Sequence, residues 1–127
     1  MTAGLALLSA CGPEQRHMSS SPMVPAAEGI VHFEKTKNDN VAIDLAVKRL
    51  ANPEKLTPPA STYVVWVRSD KNAAPQNVGA LKVDKDLVGT VDTQTPMHSF
   101  ELFITAEGSG QVMAPAGQPL LWTTYGP

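Results

Sequence analysis

The chain has 127 residues, with ten Lys and Arg against twelve Asp and Glu and a formal net charge of -2. Because acidic and basic residues are interspersed, no basic patch predicts nucleic-acid binding and no block of like charge predicts an interaction tail. The single cysteine excludes an intramolecular disulfide, and the length suits one folded domain with one core.

A short apolar run, followed by small residues and the only cysteine, begins the chain. The run is too short to cross a bilayer, which takes about 20 apolar residues. The tetrapeptide Leu8-Ser9-Ala10-Cys11 resembles the lipobox of a bacterial lipoprotein signal, which is cut before the cysteine so that the sulfur can be acylated. We therefore predict a signal segment over residues 1–10 and a lipid on Cys11. No Lys or Arg precedes the run, so we expect the true start to lie upstream.

The lipobox predicts that the folded part is held on a membrane of the bacterial cell envelope, outside the cytoplasm. Gly12 rather than Asp follows Cys11, which by the sorting rule of diderm bacteria indicates the outer membrane, facing the periplasm. The alternative is an incidental cysteine on a short helix, which Gly12-Pro13 disfavours because proline restricts the preceding residue. Residues 11–28 contain three prolines and three consecutive serines without an apolar period, which predicts a flexible tether after the lipidated cysteine.

The remaining residues, 29–127, form the predicted folded domain. Residues 41–47 alternate strictly between larger apolar and small or polar side chains, the period of a strand. Residues 63–67 are β-branched or aromatic throughout, which is typical of a central strand with both faces covered. Gly79 indicates a bulge or a close backbone approach. The predicted strands are residues 30–34, 41–47, 63–68, 77–83, 87–92, 99–106 and 119–124.

This spacing of short strands predicts an all-β fold. We expect an antiparallel β-sandwich of about seven strands, immunoglobulin-like in outline. A partly open β-barrel is the alternative.

Four segments of the second half occur in a characteristic order. An aromatic strand over residues 63–67 is followed by a strand with a glycine over 77–81, and then by an apolar strand over 100–107 that ends in Thr-Ala-Glu. A proline–glycine turn and a final apolar strand over 115–122 complete the series. The order resembles the extracytoplasmic C-terminal domain of anti-sigma-K factors, and the resemblance covers about half of the chain.

The resemblance implies a β-sandwich and an extracytoplasmic location. Members of that family carry a cytoplasmic sigma-binding segment and a transmembrane helix before this domain. Here a lipobox and a tether stand in their place, so the resemblance does not extend to sigma-factor regulation.

The sequence predicts no enzyme and no cofactor. It contains no Gly-x-Ser-x-Gly elbow, no His-Glu-x-x-His helix and no glycine-rich phosphate loop. His32, Met97, His98 and Met113 include the ligand types of a soft copper site, but ordinary surface histidines explain the pattern better, and we predict no metal centre.

The large aromatic residues are the remaining candidates for a binding surface. Trp66 and Trp122 are both expected in the core, although Trp122 lies near the end of the chain. Trp122 and Tyr125 are also the candidates for surface binding, and Tyr125 is expected to be the more exposed of the two.

Three functions are compatible with these residues. The leading hypothesis is a non-enzymatic envelope lipoprotein for protein interaction or envelope sensing. The alternatives are a glycan- or peptidoglycan-binding module and a periplasmic copper-binding protein. The expected partners are the membrane, through the lipid on Cys11, and an envelope protein, with no nucleic acid; the residues do not predict the oligomeric state.

Overall fold

The computed structural model describes residues 13–126. Over that range it contains a single short 3-10 helix, Pro53–Lys55, and no helix long and apolar enough to cross a membrane. The nine strands of the described range are β1 Glu14–His17, β2 Ser19–Ser20, β3 Glu28–Lys35, β4 Val41–Lys48, β5 Thr62–Arg68, β6 Gln76–Val83, β7 Gly89–Thr95, β8 Phe100–Glu107 and β9 Leu121–Tyr125. All seven predicted strands are therefore present, as β3 to β9.

Neighbouring strands are antiparallel throughout, in the order β1-β3-β4-β7-β6-β5-β8-β9-β2. Strand β6 connects the two halves of this sheet. It pairs with β5 over residues 76–81, but with β7 only where Lys82 lies opposite Thr90 and Val83 opposite Gly89. The sheet is thus weakly joined between β6 and β7.

The first two strands bring the edges of the sheet together. Strands β1 and β2 are separated only by Met18, yet β1 pairs with β3 and β2 pairs with β9. The backbone N–H of Met18 donates to the carbonyl of Gly29, and that of Ser21 donates to the carbonyl of Leu120. The sheet therefore curls into a nearly closed barrel. The all-β prediction is confirmed, and the architecture is the partly open barrel that the sequence left as the alternative.

Within the segment predicted as a flexible tether, residues 11–28, the described part, residues 13–28, differs from that prediction. Besides forming β1 and β2, it places Val24 and Ala27 in the core, where each exposes 6% or less of its surface. Composition predicts disorder when a segment buries too few of its own side chains. Here the backbone is ordered by hydrogen bonds to strands that are distant in the sequence. The lipobox residues Leu8, Ser9, Ala10 and Cys11 lie outside the described residues.

The bulge predicted at Gly79 is confirmed. Val65 lies opposite Gly79 and Trp66 opposite Asn77, so Val78 is the extra residue. Gly79 has φ +143°, and a Cβ there would lie 3.1 Å from a methyl group of Val91. Only glycine takes up this backbone conformation without strain.

The barrel interior is filled by the inward side chains of the long strands. Near the end at which β1 begins, three aromatic rings pack together with centroids 4.6–5.7 Å apart: Phe33, Phe100 and Tyr125. The other fully buried interior side chains include Val31, Ile43, Leu45, Leu102, Ile104 and Leu121.

Candidate functional site

Strand β5 is apolar on both faces, and its outer face needs a cover. Val64 and Trp66 point outward and pack with Phe103 of β8 in a small cluster apart from the main core. The connection between β8 and β9, residues 108–120 and called the strap below, folds over this face so that Val112 packs on the cluster. The central strand predicted from the sequence is confirmed, and a loop rather than a second sheet covers its outer side.

A buried carboxylate fixes the strap to the sheet. Glu107 is only 3% exposed and accepts hydrogen bonds from the backbone N–H groups of Ala116 and Gly117 at 3.1–3.2 Å. The Thr105 hydroxyl donates to the same carboxylate at 2.5 Å and accepts from the Trp66 indole N–H at 2.8 Å. This chain of hydrogen bonds joins the outer cluster to the strap, and no buried side-chain nitrogen or oxygen in the described part of the chain is left unpaired.

Asn77 holds the strap at a second point. Its side-chain amide, which lies beside the bulge of β6, donates to the carbonyls of Gly110 at 3.0 Å and Val112 at 2.9 Å. The strap is therefore attached near both of its ends, and its position relative to β8 and β9 is defined.

A cleft of about 310 Å³ opens where the end of the strap meets the outer face of β8 and β9. Pro119 comes from the strap, Trp122 from β9, Phe103 and Glu101 from β8, and Arg68 from β5. Phe103 is buried, whereas Trp122 exposes 37% of its surface. We call this site the Trp122 cleft.

The charged pair in the Trp122 cleft is held in place by an aromatic ring. The Arg68 guanidinium lies over Phe103, 4.9 Å from the ring centroid, and pairs with Glu101 at 2.5 Å. Both contacts of Arg68 reach Oε1 of Glu101, and among residues 13–126 no hydrogen bond to Oε2 is found, so this oxygen can accept from a ligand. Strand register explains the arrangement, because Arg68 lies directly opposite Glu101 and Phe103 directly opposite Trp122.

The Trp122 cleft offers groups that can contact a ligand. It combines an exposed indole with a hydrogen-bond donor and an acceptor about a quarter exposed, and its volume is at the lower end of the range of small-molecule sites, about 300–1,000 Å³. The ionisable groups among its lining residues are the Arg68 guanidinium and the Glu101 carboxylate.

A larger groove of about 550 Å³ lies at the end of the barrel where β8 finishes. Its walls are mostly apolar and include Met23, Pro58, Pro59 and Leu120. Glu107 is its only charged lining residue, and that carboxylate already holds the strap. This end groove therefore offers shape and apolar surface, while the Trp122 cleft also offers polar groups for recognition.

The two aromatic candidates from the sequence have different environments. Trp122 was expected in the core, which is wrong: it is 37% exposed and lines the cleft. Tyr125 was expected to be the more exposed, which is wrong: it is 9% exposed and packs on Phe33 and Phe100. Tyr125 lies four positions after the buried Leu121, so both side chains point to the inner face of β9. This spacing can be read from the sequence.

Arg68 and Glu101 were not among the residues predicted to form a site. Both residues fall within predicted strands, over residues 63–68 and 99–106. Their pairing depends on the register between β5 and β8, which a single sequence does not contain. The one local signal in the sequence is Glu101 itself, an acidic residue between apolar neighbours in a predicted strand.

The four candidate copper ligands have separate environments. His32 bonds through Nε2 to the Gln15 amide oxygen at 2.9 Å, and His98 bonds through Nε2 to the Asp39 carbonyl at 2.8 Å. Met97 packs against the core, and Met113 is 87% exposed on the strap. Within residues 13–126 there is no group of three His, Cys, Asp or Glu side chains that could hold a metal ion.

Comparison with known proteins adds no further assignment. No family model matches the chain. No curated protein matches it. The resemblance to the outer domain of anti-sigma-K factors therefore stays a prediction.

Proposed function

We propose that this chain is a lipid-anchored, non-enzymatic binding protein of the bacterial cell envelope, and that its barrel binds an envelope protein through the Trp122 cleft. The observation that carries the proposal is the exposed Trp122 indole beside the Arg68–Glu101 pair. The lipobox at Leu8–Cys11 supports the anchor and the extracytoplasmic location.

A protein partner accounts for the composition of this surface. Tryptophan and arginine are the residues that most often dominate binding energy at protein interfaces. The strap adds the exposed Met113 on the same side of the sheet. Because Phe103 and Glu101 hold Arg68 in place, little side-chain entropy would be lost when a partner binds.

The test is capture from solubilised envelope with the full chain carrying Cys11→Ser, which prevents acylation. We expect a partner that is retained by this bait and lost when Trp122→Ala is added. Met23→Ala is the matched control, because Met23 is also an exposed apolar residue but lies in the end groove. Failure to capture a partner, or capture that is insensitive to Trp122→Ala, would contradict the proposal.

A glycan is the second candidate ligand, and it is favoured by the pairing of an exposed indole with a charged donor and acceptor. An indole face can stack on a sugar ring while Arg68 and Glu101 bond to its hydroxyls. Since Trp66 is fully buried, a change in tryptophan emission on adding peptidoglycan fragments reports on Trp122. A saturable change that is abolished by Trp122→Phe supports the glycan; unchanged emission contradicts it.

The anchor has its own test. Mass spectrometry of the protein from its native host should find a chain that begins at Cys11 and carries acyl groups. An intact Met1 together with a free thiol at Cys11 would contradict the anchor and the location that follows from it. In a diderm host, we expect the protein on the outer membrane, facing the periplasm.

A further inference from the structure

The first strand of the barrel begins very close to the cysteine. Glu14, the first residue of β1, follows Cys11 by three positions. A fully extended chain covers at most about 3.3–3.6 Å per residue, so the two Cα atoms are at most about 11 Å apart. The tether predicted from composition would instead have an r.m.s. span of about 20–25 Å. The folded barrel thus begins within a distance shorter than the radius of gyration of a domain of about 100 residues, about 13 Å.

Strand β1 is part of the barrel rather than an appended arm. All four of its residues pair with β3, from Glu14 opposite Phe33 to His17 opposite Ile30. The chain then pairs with β9 through Ser19 and Ser20. A force or restraint applied just before Glu14 therefore acts on both edges of the sheet.

One end of the barrel surrounds the start of β1. Phe33, the partner of Glu14, precedes the turn over residues 36–40. His98 bonds to the Asp39 carbonyl, which brings the connection over residues 96–99 to that turn. Arg68 lies opposite Glu101, so the connection over 69–75 leaves the sheet at the same end. We call this end, formed by residues 35–40, 69–75 and 96–99, the anchor end.

We infer that the anchor end lies against the lipid headgroups, so that the barrel is held in one orientation on the membrane rather than swinging on a tether. The inference rests on the proposed acylation of Cys11. Its partner is the headgroup surface of the same membrane that holds the lipid.

The chemistry of the anchor end suits headgroups and not the hydrocarbon layer. Its three segments carry three lysines and two aspartates, with Asn, Ser and Thr between them. The exposed large apolar side chains of the described chain all lie elsewhere, at Met23, Leu87, Met113 and Trp122. Contact at the polar surface without insertion follows from this composition.

This orientation determines which surfaces of the barrel face away from the membrane. The end groove and the strap are at the opposite end, because Glu107 of β8 pairs with Thr62 of β5 and lies farthest from Phe100. They point away from the bilayer, while the Trp122 cleft opens at the side. Its lining residues Arg68 and Glu101 lie next to the anchor end, so a ligand in the cleft would also be close to the headgroups.

The test uses the full chain, whose only cysteine is Cys11, coupled through that thiol to maleimide-headgroup lipid in phosphatidylcholine vesicles. Two reporters are made in a Trp122→Phe background: Lys37→Trp at the anchor end and Ser109→Trp on the strap. Both positions are exposed, and the buried Trp66 is common to both. A lipid with a nitroxide on its headgroup quenches tryptophan near the membrane surface.

We expect the Lys37→Trp reporter to be quenched several-fold more than the Ser109→Trp reporter. Inserting Gly-Ser repeats as long as the predicted tether between Gly12 and Pro13 is the matched control and should remove the difference. Equal quenching of the two reporters without the insertion, or stronger quenching at position 109, would overturn the inference. Because the coupling is chemical, this outcome is independent of whether cells acylate Cys11, which mass spectrometry decides.

Discussion

The Glu107 carboxylate accepts a hydrogen bond from the backbone N–H of Ala116, nine positions away along the chain. Strand β8 thus holds the loop that leaves it, and the strap covers the outer apolar cluster while carrying Pro119 to the Trp122 cleft. The shape of the cleft depends on a hydrogen bond outside it.

Replacing Glu107 should destabilise the barrel. In the Glu107→Ala variant the buried Thr105 hydroxyl loses its acceptor, as do the N–H groups of Ala116 and Gly117, and an unpaired buried group costs about 1–3 kcal/mol. The free energy of unfolding in urea measures the loss. Glu34→Ala is the matched control, since Glu34 is an exposed acid on β3 and a surface change is worth about 0.5 kcal/mol or less. Equal stabilities of the two variants would show that the carboxylate does not hold the strap.

Gly117 should tolerate no side chain. A Cβ there would lie 2.6 Å from the carbonyl oxygen of Ala106, a backbone atom that cannot swing away. Gly117→Ala should therefore lower the free energy of unfolding by about 1–3 kcal/mol, the usual range for overpacking. Gly108→Ala provides the comparison, because nothing lies within 4 Å of its added Cβ. If thermal denaturation finds the two alanine variants equally stable, the close approach of strap and strand is incorrect.

Tyr63 should make the barrel sensitive to alkali. Burial raises the pKa of Tyr63 from 10.0 to about 12, and its hydroxyl donates to the carbonyl of Ala51. The folded state therefore keeps the phenol proton that the unfolded state loses. Stability from this group is complete below about pH 10 and falls as the pH rises through the range from 10 to 12.

Urea unfolding at a series of pH values measures this dependence. We expect Tyr63→Phe to flatten the decline between pH 10 and 12, because the variant has no phenol to ionise at that position. Tyr125→Phe should retain the decline and serves as the control. A slope unaffected by Tyr63→Phe would rule out this group as its source.

The sequence predicts the long strands because each is specified by the pattern of its own side chains. Period-two alternation over residues 41–47 predicts β4, and the doubly apolar residues 63–67 predict a strand covered on both sides. What the sequence missed depends on partners distant in the chain. The Arg68–Glu101 pair follows from strand register, and β1 and β2 exist because two open edges accept their hydrogen bonds.

The polar composition of residues 14–20 correctly indicates that their side chains are largely exposed. It does not indicate that their backbone is paired in strands. A strand that crosses a barrel opening needs few buried side chains when its N–H and carbonyl groups are paired. At the edges of a sheet, backbone hydrogen bonds rather than buried side chains can keep a strand ordered.

Backbone amides at the barrel opening should be protected from hydrogen exchange. The N–H groups of Met18 and Ser21 donate at 2.9 and 2.8 Å to the carbonyls of Gly29 and Leu120, on opposite edges of the sheet. Exchange at these amides requires the barrel to open, so their rates in NMR measurements should fall well below those of an unstructured peptide. Rates equal to the peptide values would mean that residues 14–20 behave as a tether. The barrel would then be free to turn on the membrane, and the orientation inferred from β1 would fail with it.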